Sequence, residues 1–145
     1  MATFSDLKFV LITTGDEGGT WGATTNKNLG TAIEEAIVGS ADVTFASADV
    51  TLDLQDLPTP LTQTARNFRL NLTGTSGGAR MLYLGSGCQI QKPYVIKNDL
   101  ADAVTVRNYI GSTGSGSSVT IPAGKTAWVF NTGSNVLPAV DYMDA

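Results

Sequence analysis

A mainly β fold, an antiparallel β-sandwich or rolled sheet with one N-terminal α-helix, is what this sequence predicts, and three observations lead there. From residue 43 onward, short runs that alternate apolar and polar residues follow one another with little but turn residues between them. Only about Thr25 to Val38 has helical periodicity, so no helices are available to carry crossovers between parallel strands. Glycine is abundant, 16 of 145 residues, and with frequent Thr, Val, Asn and Ser it gives the composition of short strands joined by tight turns. A chain of this length reads as a single domain, residues 1–145, able to bury roughly two thirds of the surface its unfolded form exposes.

Leu7 to Thr13 is a near-continuous apolar run, expected as a strand covered on both faces. A glycine-rich turn, Gly15 to Gly22, then delivers Trp21 to the start of the helix. Leu29, Ile33 and Ile37 recur every four residues with Ala32 and Ala36 beside them, which predicts a narrow apolar stripe, and Gly39 stands where a left-handed cap would end the helix. Its charges oppose the dipole, with Lys27 near the positive end and Glu34 and Glu35 near the negative end, so packing of the stripe must hold it. Trp21 reads as a lid over the stripe, although a tryptophan beside glycines also suits stacking on a ligand.

The strands follow in order. Val43 to Phe45 and Val50 to Leu54 alternate around Ala46 to Asp49 and predict a hairpin with one buried face, while Pro58 and Pro60 make Asp56 to Thr64 an exposed connection. Asn67 to Thr73 places Phe68, Leu70 and Leu72 on one side of a half-buried strand, and its Asn71-Leu-Thr73 sequon is read as part of that strand. Met81 to Leu84, Pro93 to Ile96, Val104 to Val106, Val119 to Ile121 and Ala127 to Phe130 complete the series. The Gly/Ser tract from Gly111 to Ser118 is expected as a loop tip, and no internal repeat is visible.

Composition excludes several functions. Nine basic against thirteen acidic side chains leave a net charge of -4, so no general attraction to nucleic acid or to an anionic membrane is expected. No stretch approaches the roughly 18 apolar residues of a membrane span, and no basic segment with a long apolar run opens the chain, so neither insertion nor secretion by that route is expected. The single cysteine, Cys88, cannot form an intrachain disulfide, which fits cytosolic assembly.

Histidine is absent, which removes the commonest general base and metal ligand. Cys88 follows Gly85-Ser-Gly87 without a local activator and reads as a small residue near a turn. Asp49, Asp53 and Asp56 follow strand alternation and turns rather than the spacing of a calcium loop. Glycines 15, 18, 19 and 22 lack the Gly-Lys-Ser/Thr ending of a phosphate loop, and Asp16 and Glu17 would repel an anion there. The residues therefore point to no catalysis, no metal and no cofactor. Arg66, Arg69 and Arg80 with Tyr83, Tyr94 and Tyr109 leave open either a solvated sheet face with core aromatics or a sugar-binding face. Ala127-Trp-Val-Phe130 puts apolar bulk on both sides of a strand, which suits full burial or contact with another subunit.

The runs Leu11-Ile-Thr-Thr-Gly-Asp-Glu-Gly-Gly-Thr-Trp-Gly22, Thr25-Asn-Lys-Asn-Leu-Gly30 and Glu34-Glu-Ala-Ile-Val-Gly39 resemble the N-terminal module of tail-fibre-like structural proteins of tailed bacteriophages, notably phages of marine and freshwater bacteria. The resemblance continues through Ala65 to Gly74, Lys92 to Ile96 and Ile121 to Phe130, with the Gly-Thr-Trp-Gly block its most specific part. It implies a non-enzymatic virion component, assembled in the host bacterial cytoplasm, that docks on the particle and works as an oligomer, often a trimer. In long fibres such a module precedes a shaft and a receptor-binding tip. This sequence ends at Ala145 soon after the last strand, which favours an adaptor, tail accessory or capsid-decorating role. The expected subunit and virion contacts are Trp21, Leu29, Ile33, Ile37, Trp128 and Phe130. A carbohydrate-binding adhesion module using Tyr83, Tyr94 and Tyr109 is the rival.

Overall fold

The computed structural model describes residues 3–15 and 17–140, so Asp16 lies outside the described residues. The fold is mainly β, a two-layer sandwich with a helical segment near the N-terminus. An N-terminal arm holds β1 (Thr3–Phe4) and β2 (Val10–Leu11), an antiparallel pair, followed by a helical segment in three parts: α1 (Trp21–Lys27), a π-helical stretch (Asn28–Ile33) and α2 (Glu34–Val38). The body holds β3 (Ser40–Ala46), β4 (Val50–Leu52), a 3-10 turn (Thr64–Arg66), β5 (Arg69–Thr75), β6 (Arg80–Leu84), β7 (Gln91–Asn98), β8 (Val104–Ile110), β9 (Thr113–Ile121), β10 (Thr126–Thr132) and β11 (Val136–Pro138).

The strands alternate between layers. One sheet has the order β11-β10-β7-β5-β3 and the other β4-β6-β8-β9. Because β3 through β8 change sheet at every step, β3, β5 and β7 stack in parallel in one layer and β4, β6 and β8 in the other. The predicted hairpin is thereby corrected: β3 pairs with β5 and β4 with β6, so the two face each other across the core. Parallel neighbours need a crossover, and here the strand in the opposite layer serves as one. The antiparallel expectation holds for β8 with β9, β7 with β10, and β10 with β11, which finish the sandwich after the coil.

Inward-facing side chains stack from turn to turn. Val43, Leu72 and Asn98 are in register in one sheet, and Val50, Leu82 and Val106 in the other. Phe45, Leu70, Leu84, Tyr94, Ile96, Val104, Ile121 and Val129 fill the space between the layers. Polar stacking closes the ends of the core: Asn108 and Asn131 exchange amide hydrogen bonds between the two sheets at 2.8 and 3.1 Å, and Asn98 Nδ2 donates to the carbonyls of Asp102 and Ile121.

Several local expectations change. Leu7 to Thr13 keeps only Val10 buried, with Leu11 and Ile12 exposed, because β1 is its only strand partner among the described residues. Only Gly111 and Ser112 of the Gly/Ser tract form a turn, and from Thr113 on it is the first half of β9; Gly114 lies against the Tyr83 ring and the Arg107 stem, where a Cβ would stand 3.1 and 3.3 Å away. Gly39 is extended (φ -68°, ψ 141°) rather than left-handed. Its lack of a side chain matters for another reason: a Cβ there would overlap Asn67 Oδ1 and the Glu35 carbonyl.

The helical segment begins at Trp21, four residues before the expected start, so Lys27 is no longer at its positive end. Glu17 stands there instead, its carboxylate accepting from the Thr20 and Thr24 hydroxyls. The π-helical middle breaks the four-residue repeat, since i→i+5 hydrogen bonding turns the following residues to another side. Ala32 and Glu35 face inward as a result, and the predicted stripe does not pack: Leu29 is 54% and Ile37 66% exposed, with Ile33 half-buried.

Candidate functional site

Polar bonds, rather than an apolar seam, tie the arm to the body. Arg66, fully buried, donates from Nε to the Leu7 carbonyl and from Nη1 to the Leu61 carbonyl, both at 2.8 Å, and pairs with Glu35 at 3.3 Å. Glu35 also accepts from the Gln63 backbone N–H and from Asn67 Nδ2, and its carbonyl accepts from the Phe68 N–H. Asn28 adds a two-point bond to the Val10 backbone, at 3.0 and 2.8 Å. Arg66 therefore does not belong to an exposed basic group with Arg69 and Arg80: burial presses its pKa down and the Glu35 carboxylate holds it up.

Four large apolar side chains of the helical segment are uncovered, among exposed polar ones such as Asn26, Lys27 and Glu34. Trp21 is 62% and Val38 74% exposed, beside the exposed Leu29 and Ile37. Within the chain Trp21 is thus no lid over a core.

A second apolar surface lies on the outer side of the five-stranded sheet. Alternation along β10 sends Val129 and Asn131 inward and Trp128 and Phe130 outward, as the sequence predicts for a strand with apolar bulk on both faces. Register places Trp128 opposite Val95, and Phe130 between Pro93 and Leu137. Directly paired residues share a face and touch. Trp128 is 53% exposed, and the next rank outward is polar, with Thr126, Lys97, Asn71 and Asp42 in line. An apolar centre with a polar border is the anatomy of a protein contact surface.

The tyrosines divide. Tyr94 is fully buried and its hydroxyl donates to the Ala65 carbonyl at 2.7 Å, which removes it from any glycan-contacting face. Tyr83 and Tyr109 lie together on the outer side of the four-stranded sheet, ring centroids 5.0 Å apart and tilted by 58°.

The reactive groups are held in structural roles. Cys88 is buried, its thiol set against the Leu52 carbonyl at 3.3 Å, and burial followed by the Asp53 charge pushes its pKa up to about 12. Asp49 accepts from the Met81 N–H, Asp53 from the Ser86 N–H, and Asp56 pairs with Lys8 at 3.1 Å, so the three carboxylates serve separate places. Among the described residues no cluster of His, Cys, Asp and Glu is placed to hold a metal ion, and no helix is long and apolar enough to cross a membrane.

Comparison of the chain with protein families, with curated proteins and with solved structures finds no match. Periodicity carried much of the Trp128 surface into view. It missed the Glu35–Arg66–Asn67 node, because charged and amide residues at buried positions leave no hydrophobic signal.

Proposed function

We propose that this chain is a non-enzymatic structural protein of a tailed-bacteriophage particle, a tail-fibre-like or adaptor component that assembles through contacts between its own copies and with other virion proteins. The observation that carries the assembly reading is the uncovered apolar side chains in two places, Trp21, Leu29, Ile37 and Val38 on the arm and Trp128 and Leu137 beside the half-buried Phe130 on the sheet. Two different patches on one chain suit a heterologous contact, the arm of one copy on the sheet of the next. Such a contact closes into a ring when the rotation allows. A homotrimer and the virion setting rest on the resemblance of the Gly-Thr-Trp-Gly block and its neighbouring runs.

Light scattering on the purified protein, with mass spectrometry of purified virions, tests this reading. The expected result is a homotrimer in solution and the chain present in the particle at a low copy number. A high copy number would assign it to capsid decoration instead. A strict monomer together with absence from the particle would overturn the proposal.

A further inference from the structure

The carboxyl ends of β4, β6 and β8 lie at one end of the four-stranded sheet, and the chain leaving them lines a cleft of about 460 Å³. Thr51 and Asp53 come from the first turn of the coil, Ser86 and Gln89 from the second, and Tyr109 from the third.

The polar groups are set before any ligand arrives. Asp53 Oδ1 accepts from the Ser86 N–H at 2.8 Å, and a Cβ on Gly85 would overlap that oxygen, so the carboxylate takes this position only beside glycine. Its other oxygen takes no hydrogen bond among the described residues. Gln89 Nε2 donates to the carbonyls of Leu84 and Gly85 at 3.0 and 2.9 Å, which orients the amide and leaves its oxygen as an acceptor. The Tyr109 ring is fixed by its packing on Tyr83 and by its hydroxyl, which donates to the Ser112 carbonyl at 2.8 Å.

Two oriented acceptors, two hydroxyls and a held aromatic ring in one cleft are complementary to a polyol whose hydroxyls donate and whose C–H face is apolar. We propose that this cleft binds a neutral hexose unit of a glycan, its adjacent hydroxyls donating to Asp53 and Gln89 and its C–H face against Tyr109. The Asp53 carboxylate has no cationic partner among the described residues and disfavours an anionic sugar. A single carboxylate without further charged oxygen ligands does not make a calcium site. The site does not depend on the assembly role, and each stands or falls alone.

Titration of isotope-labelled protein with the methyl glycosides of glucose, galactose, mannose and N-acetylglucosamine, with glucuronic acid as the charged control, tests the inference by NMR. At least one neutral glycoside is expected to shift the Thr51, Ser86 and Gln89 amides saturably, with glucuronic acid at least tenfold weaker. Asp53→Asn and Tyr109→Leu are each expected to weaken that binding tenfold or more without changing the oligomeric state. Tyr109→Leu keeps the apolar bulk and serves if Asp53→Asn fails to fold. No saturable shift with any of the four, binding unchanged in the variants, or equal binding of glucuronic acid would overturn it.

Discussion

Lys92 is a buried amine with no carboxylate partner among the described residues: its Nζ donates to the carbonyls of Asn67 and Pro93 and lies 3.9 Å from the Tyr94 ring centroid. Burial lowers its pKa from 10.5 to about 8. Between those values the unfolded chain holds the proton and the folded chain does not, so stability rises with pH across that window. Lys92 alone then contributes about 1 kcal/mol of gain from pH 8 to pH 9. Cys88 works in the opposite sense: from its ordinary 9.0 up to about 12, the folded chain keeps a proton that the unfolded chain loses, and stability falls. Tyr94, raised mainly by its own burial, deepens that fall at higher pH. Urea denaturation is expected to find maximal stability near pH 9, with Lys92→Met removing the rising limb and leaving the fall. At Arg66 the logic is that of a pair broken in the interior. Glu35→Gln is expected to cost about 3–5 kcal/mol, because it leaves the guanidinium buried without its counter-charge. Arg66→Met in that background is expected to cost less than additivity predicts, which a double-mutant cycle would measure.

The helical segment shows how a short local irregularity redirects a whole face. With the π-helical stretch in its middle, the residues that would pack as a stripe point away from the body, and the inward positions go to Ala32 and Glu35. Trp21→Ala is therefore expected to change the stability of the isolated chain by no more than about 0.5 kcal/mol, as is usual for an exposed position. It is expected to weaken self-association. Thermal unfolding at low protein concentration, set beside light scattering at high concentration, separates the two effects. A loss of several kcal/mol from the monomer would mean that the ring is a packing element after all.

Over the whole molecule, the coil buries its core between two layers and leaves the outer side of the five-stranded sheet open at Trp128. Since Val129, not Trp128, faces the core, Trp128→Ser is expected to leave the fold intact and to lower the assembly constant tenfold or more. Sedimentation over a concentration series checks this, and unchanged assembly would remove the sheet face from the proposed contact. If arm and sheet meet in one heterologous interface, Trp21→Ala and Trp128→Ser in a single chain should lose less than the sum of their separate effects.

Most strand positions from β3 to β10, the inward placement of Leu70 and Leu72, and the existence of a helix before them were legible because alternation and periodicity record which side of an element is buried, whereas β1, β11 and the Gly/Ser-rich half of β9 carry no such pattern. Pairing was not. A strand that alternates reads the same whether its neighbour runs parallel or antiparallel, so Val43–Phe45 and Val50–Leu54 looked like a hairpin until their true partners placed them in opposite sheets. The coil leaves no repeat in the sequence, since the spacing changes from turn to turn, from Val43 to Leu72 to Asn98 in one sheet and from Val50 to Leu82 to Val106 in the other. Arg66, Lys92 and Tyr94 needed the tertiary structure most. Polar and aromatic side chains are placed by the partners that satisfy them, and those partners lie on other elements, far along the chain.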